Sequence, residues 1–192
     1  MALDRIAALS QPVQQEGEPA LALRPFDPAE ADVIASWITD EADAVRWGGP
    51  AVRWPVDAGQ FAAMYADPAR TLWTVTLEGR LAGHFQLFHD ARRRTVRLGR
   101  VGIAPELRGR RLATPMVRMA VDLAFRRDPA LHRVELQVYA QNAPARAAYA
   151  RAGFVLEGVL REDVPVCSAG RLEFWSSALM AVLRAEWESD QP

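Results

Sequence analysis

The thirteen residues Val101–Ala113 read Val-Gly-Ile-Ala-Pro-Glu-Leu-Arg-Gly-Arg-Arg-Leu-Ala, an extended run that stops at a proline and restarts as the Arg/Gly-rich opening of a helix. Such a segment can bind a phosphate or pyrophosphate. The first N–H groups of a helix have no intrahelical acceptor, the macrodipole adds partial positive charge, and Arg108, Arg110 and Arg111 add full charges. A surface turn with solvated arginines would have the same composition, so the neighbouring sequence has to decide. Some thirty residues on comes Asn142-Ala-Pro-Ala-Arg-Ala-Ala-Tyr149-Ala-Arg-Ala-Gly153-Phe154. Asn is an N-cap residue, Pro fits the first turn, and Gly closes the C-terminal end. Tyr149 lies seven residues after Asn142, two turns along and on the same face.

These segments need a sheet to carry them. Alternation and turn chemistry predict strands at Leu21–Phe26, Thr71–Leu77, Leu81–Phe88, Thr95–Ala104 and Leu131–Val138. Glu78-Gly79-Arg80 reads as a hairpin, and His89–Arg94 as a charged turn. Helices are predicted over Pro28–Ile38, Asp57–Tyr65 and Arg110–Arg126, the last with Met116, Met119, Ala120, Leu123 and Ala124 inward. Asp40–Pro55 loses periodicity among turn formers and reads as a loop containing Trp47 and Trp54. Residues 1–20 read as a tail or linker, 21–188 as one domain, and 189–192 as a short C-terminal tail.

Strand, Arg-Gly-x-x-x-Ala loop, long helix, strand, then Asn with Tyr-x-x-x-Gly-Phe together resemble the GNAT family of acetyl-CoA-dependent N-acetyltransferases. Leu23-Arg24-Pro25-Phe26 near the start and Gly158-Val159-Leu160-Arg161-Glu162 near the end, with a last strand around Arg171–Met180, resemble its ribosomal-protein N-terminal acetyltransferase branch. The likeness spans roughly Leu21 to Trp187. It implies a single α/β domain with a mixed, twisted sheet of about seven strands and helices on both faces. The sheet would be splayed where strands 95–104 and 131–138 part to admit CoA.

The resemblance also implies roles. Backbone N–H groups of Arg108, Gly109, Arg110, Arg111, Leu112 and Ala113 would hold the pyrophosphate, and the backbone of Val101, Gly102 and Ile103 the pantetheine arm. Arg111 departs from the family, which usually has glycine there; as a helical residue it would still donate its N–H. Asn142 would bond the pantetheine amide, or serve only as a cap. Tyr149 would meet the CoA sulfur and protonate the thiolate, or only pack on Phe154. The family's base is commonly a carboxylate whose position varies. Glu135 is the first candidate and His84 the second, against readings as an exposed strand residue and a buried sheet histidine, and water alone could suffice. Trp47 and Trp54 would wall the acceptor site, with Asp40, Glu41 and Asp43 drawing a cationic amine or merely solvated.

The chain has 192 residues, half of them hydrophobic, which is enough for one sizeable core. Its net charge of −1 gives no global pull toward nucleic acid. All 23 basic residues besides histidine are arginine, so lysine chemistry is excluded. A single cysteine, Cys167, forms no intrachain disulfide, and no signal-like or membrane-spanning run stands out, which together point to the cytoplasm. No metal site is expected. The reaction expected is direct transfer of acetyl to a primary amine, of a protein N-terminus or a small molecule, in a ternary complex. A non-catalytic CoA sensor of the same fold is the alternative. Dimers are common in the family, and no residue here decides that point.

Overall fold

The computed structural model describes residues 20–168 and 170–190. The expected tail over 1–20 therefore lies outside the described residues except for Ala20. Seven strands form one sheet: β1 (Leu21–Pro25), β2 (Arg70–Leu77), β3 (Arg80–Asp90), β4 (Thr95–Ile103), β5 (Arg133–Tyr139), β6 (Val155–Ser168) and β7 (Arg171–Leu183), in the spatial order β1-β2-β3-β4-β5-β7-β6. β4 and β5 are parallel and all other neighbours antiparallel. The β2–β3 hairpin turns on Glu78 and Gly79, both at positive φ, as a two-residue turn of the primed kind requires.

Among the described residues two large clusters of buried side chains flank the sheet, and a smaller third joins Val45, Tyr139, Val164 and Val166. On one side α4 (Ala113–Arg127) sets Met116, Val117, Ala120 and Val121 against Phe85, Leu87, Val96 and Val134. Gly83 permits this contact, because a Cβ there would sit 2.7 Å from the Met116 Sδ and 2.9 Å from the Gly102 carbonyl oxygen. The second cluster joins α1 (Ala31–Ser36), α2 (Glu41–Gly48) and α3 (Ala58–Ala66) through Phe26, Ile34, Trp37, Ala44 and Phe61. α5 (Ala143–Arg151) packs beside α4, and α6 (Arg184–Ser189) buries Trp187.

β6 and α6 are elements the sequence does not announce, and three expected segments differ. Residues 40–55 are not all loop: α2 begins at Asp40, whose side chain accepts from the Asp43 N–H at 2.7 Å, and ends at Gly49 with φ +78°. Both end signals stand in the sequence, but the tryptophans and Gly-Gly-Pro mask them. The long helix starts at Ala113 and not at Arg110, leaving the arginines in the preceding loop. The first predicted helix is a short 3₁₀ turn at Pro28–Glu30 running into α1.

The sheet edge at β6 is broken by register shifts between Leu156 and Gly158 and between Leu160 and Val164. Such bulges disrupt a ladder that another chain could otherwise extend. Among the described residues no helix is long and apolar enough to cross a membrane.

Candidate active site

The parallel β4–β5 ladder stops after three pairs, Thr95 with Arg133, Val96 with Val134 and Arg97 with Glu135. Beyond them the strands part, and the β4 edge from Leu98 to Ile103 borders a cleft of about 720 Å³. A strand edge inside a cleft offers unspent N–H and C=O groups to an extended ligand. Val101, Gly102 and Ile103 line this cleft from β4, Ala113 from the start of α4, and Asn142 and Tyr149 from α5 and its cap.

The loop before α4 has the conformation of an anion cradle. Gly109 and Arg111 adopt φ +79° and +60°, and among the described residues the N–H groups of Gly109, Arg111, Leu112 and Ala113 have no backbone or side-chain acceptor. Successive free N–H groups at a helix start suit a phosphate. The residues thus fit a pyrophosphate, with one revision: Arg111 is not helical but left-handed, a conformation costing a non-glycine residue about 1–2 kcal/mol. Arg108 is spent elsewhere, its guanidinium donating to the Ile103 carbonyl at 3.2 Å and the Trp37 carbonyl at 3.1 Å. It ties the end of β4 to the C-terminus of α1. Arg110 is exposed and unpaired among the described residues.

Asn142 caps α5, its Oδ1 accepting from the Ala145 N–H at 3.3 Å, while its amide N–H₂ group makes no bond among the described residues. Tyr149 is half-buried, with its ring 6.1 Å from that of Phe154, and burial pushes its hydroxyl up to about 12. A phenol so placed stays protonated across the working pH range.

The candidate bases sit elsewhere. Glu135 does not line the cleft; it is clamped by Arg133 at 3.0 Å and Arg97 at 3.2 Å, with Arg93 at 3.8 Å. Burial alone would raise its carboxyl, but the hydrogen bonds from Arg133 and Arg97 outweigh that and hold it below the usual range. Its geometry is that of a brace across the last ladder pair. The expected result for Glu135→Gln is a stability loss of about 1–2 kcal/mol with kcat unchanged, read by urea unfolding and steady-state kinetics. Because the carboxyl is held low, this contribution is present above the ordinary Glu pKa and is lost as pH falls through the lowered one.

His84 is fully buried behind the cleft wall, with rings of Phe26, Phe61 and Trp47 at 5.5, 5.8 and 6.3 Å. Among the described residues neither ring nitrogen makes a hydrogen bond of ordinary geometry, though the Trp73 backbone lies near enough to favour the charged form slightly. Burial first and Arg100 second lower its pKa to about 3. The unfolded chain therefore takes up a proton below about pH 6.5 that the folded chain refuses, and stability falls by up to about 1.4 kcal/mol per pH unit. Urea unfolding between pH 7 and pH 5 checks this: His84→Leu should flatten the slope, apart from a like contribution from His89, whose pKa burial also lowers.

Of the two tryptophans only Trp47 lines the cleft; Trp54 is 43% exposed and does not. Trp47 donates its indole N–H to the Arg100 carbonyl at 3.0 Å, fastening α2 to β4. Asp40 is spent on capping, and Asp43 is paired with Arg46. The sequence reading missed three groups at this end of the cleft, Gln86, Arg100 and Asp163. They stand on strands far apart in the chain, and no local motif marks them.

The residues 35–154 match the acetyltransferase (GNAT) family. Among solved structures, the spermidine N-acetyltransferase of Vibrio cholerae in complex with CoA and spermine is 22% identical over 88% of this chain and 98% of its own, with a TM-score of 0.74. A chimera of the Vibrio cholerae enzyme with hSSAT is 23% identical over 88% and 98%, with a TM-score of 0.70. The spermidine/spermine N-acetyltransferase of Vibrio cholerae in complex with manganese ions is 21% identical over 90% and 97%, with a TM-score of 0.68. At these identities the structures speak for the fold, and the family match carries the assignment. With its sheet split at the cleft and a phosphate-ready helix start beside it, this chain belongs to the GNAT family of acetyltransferases, whose cosubstrate is acetyl-CoA.

Proposed function

We propose that the protein transfers an acetyl group from acetyl-CoA to a primary amine by direct attack in a ternary complex. The observation that carries this reading is the shared cleft: the free β4 edge, the unspent N–H groups before α4, and the half-buried Tyr149 border one space. Gly109, Arg111, Leu112 and Ala113 would hold the pyrophosphate through their N–H groups, with Arg110 adding charge, and Val101, Gly102, Ile103 and Asn142 the pantetheine arm. The bound cosubstrate supplies a thioester-activated acetyl group. Tyr149, kept protonated by burial, is the proton donor to the departing sulfur.

The amine must lose a proton before or during attack. Asp163 lines the cleft without a salt bridge among the described residues, and it faces Tyr139, whose hydroxyl burial and then Asp163 push up to about 12. Asp163, or water beside it, replaces Glu135 and His84 as the acceptor of that proton.

The branch resemblance implies a protein N-terminus as acceptor, and the names of the spermidine-acetylating neighbours imply a small amine. Packing of α2 against β4 and β6 favours a small amine, since it covers the acceptor end with Trp47, Gly48 and Gly49. The sensor reading rests on the lack of an evident base and on Arg111, and the second ground weakens because Arg111 takes the left-handed conformation of a glycine.

Free-thiol release from acetyl-CoA, measured against peptide N-termini, aminoglycosides, polyamines and amino acids, tests the reading. Release with one acceptor class is expected. CoA binding without release from any of them would return the protein to the sensor reading, and an acetylated enzyme trapped after acetyl-CoA alone would overturn direct transfer.

A further inference from the structure

Gln86 and Arg100 both line the cleft, and among the described residues each keeps a side-chain polar atom without a partner. Gln86 is 5% exposed and lines the cleft, yet its Oε1 has no hydrogen-bond partner. That oxygen is closed off from solvent in the free protein, so a ligand N–H pairs with it once the terminal amide of Gln86 turns toward the cleft. Gln86 stands opposite Gly99 in the β3–β4 ladder, and Arg100 is the next residue.

Arg100 holds φ +49° at the irregularity in that ladder, which brings its half-buried side chain to the cleft with the guanidinium 5.8 Å from the Trp47 ring centre. Its Nε has no partner. The other cleft arginines are occupied: Arg46 by Asp43, Arg70 by Asp67, Arg97 by Glu135, and Arg108 by two carbonyls. Among the described residues Arg100 alone of these has neither a carboxylate nor a carbonyl. Its pKa falls to about 10, through burial first and then the charge of Arg70, so the positive charge here is poorly compensated.

A cationic wall that lacks one anion and an amide oxygen that lacks one donor specify complementary chemistry. Resting on the acetyltransferase reading above, we propose that the acceptor is an amine that also carries a carboxylate, with the carboxylate held by Arg100 and an amine N–H by Gln86. A bidentate guanidinium–carboxylate pair in a partly desolvated site discriminates strongly against a neutral amide. At Arg100 a polyamine offers no anion and adds positive charge, so it is disfavoured there.

The test is free-thiol release with acetyl-CoA, using the protein amino acids, β-alanine, γ-aminobutyrate and dipeptides, each beside its C-terminal carboxamide, together with spermidine. The expected result is at least one free acid whose kcat/KM exceeds that of its carboxamide and of spermidine by about 30-fold or more. Arg100→Gln should erase that acid-over-amide preference by raising KM for the acid, while KM for acetyl-CoA holds. Arg100→Lys should restore part of it. Equal turnover of acid and carboxamide, or faster turnover of spermidine, would overturn the proposal and leave the acetyltransferase standing. Release from no acceptor would remove the acetyltransferase reading and the proposal with it. The comparison of acid with carboxamide uses the wild-type protein, so it stands even if the Arg100 variants fail to fold.

Discussion

Tyr149→Phe is expected to lower kcat by about 10²-fold or more while leaving the CoA Kd within about twofold. The substitution removes one oxygen and keeps the ring that packs 6.1 Å from Phe154, so α5 and the core beneath it lose nothing. What disappears is a proton donor at the cleft. Without it the leaving thiolate must take its proton from water, which neither holds the right geometry nor is preorganised. Because burial pushes the hydroxyl up to about 12, its ionisation cannot shape the activity profile near neutrality. The pH dependence of the wild-type kcat/KM should therefore show an acid limb from deprotonation of the amine or its base, and no limb from Tyr149 below about pH 10. Pre-steady-state thiol release separates the cases: a kcat within about threefold of wild type would mean that Tyr149 only packs.

Ala113→Glu is expected to raise the CoA Kd about a hundredfold, equivalent to about 2.7 kcal/mol. Ala113 is the first residue of α4 and lines the cleft beside the unspent N–H groups. A carboxylate at that position competes for those donors and repels phosphate; two unit charges 4 Å apart at an effective dielectric of 20 interact by about 4 kcal/mol. The same carboxylate is favourable for the helix, since it meets the positive end of the macrodipole. Thermal unfolding of the free protein should therefore hold steady or rise while calorimetric CoA affinity collapses. Ala113→Gln, close in size and uncharged, should cost much less. If Glu and Gln variants bind CoA alike, the phosphates lie somewhere other than the start of α4.

Much of the proposed cosubstrate half of the cleft is legible in the sequence alone. The turn at Pro105, the Gly109 position, the Asn142 cap and the Tyr149 spacing are local signals, each set by backbone chemistry within a few residues. Where structure and sequence reading part, a local signal is obscured by its surroundings. Asp40 and Gly49 bracket a helix as clearly as Asn142 and Gly153 do, but the tryptophans and turn formers around them have the composition of a loop. The helix after Arg108 begins three residues later than its arginines imply, because Gly109 and Arg111 take left-handed conformations that end one turn before the next begins.

The acceptor half is not legible, and the reason is the length of chain separating its parts. Glu135 looks like a base in one dimension, yet parallel register puts it in contact with Arg97, 38 residues away, and the arginines neutralise it. His84 looks like a titrating group until Phe26 and Phe61 close over it from other elements. By itself the sequence determined most of the strands, the Asn142 cap, the Arg/Gly loop and the spacing of Tyr149, all of which follow from short-range hydrogen bonding and periodicity. Only the tertiary structure decided where the sheet splits, which charges are cancelled and which polar groups are left without partners, because pairing and desolvation depend on neighbours that the fold alone brings together.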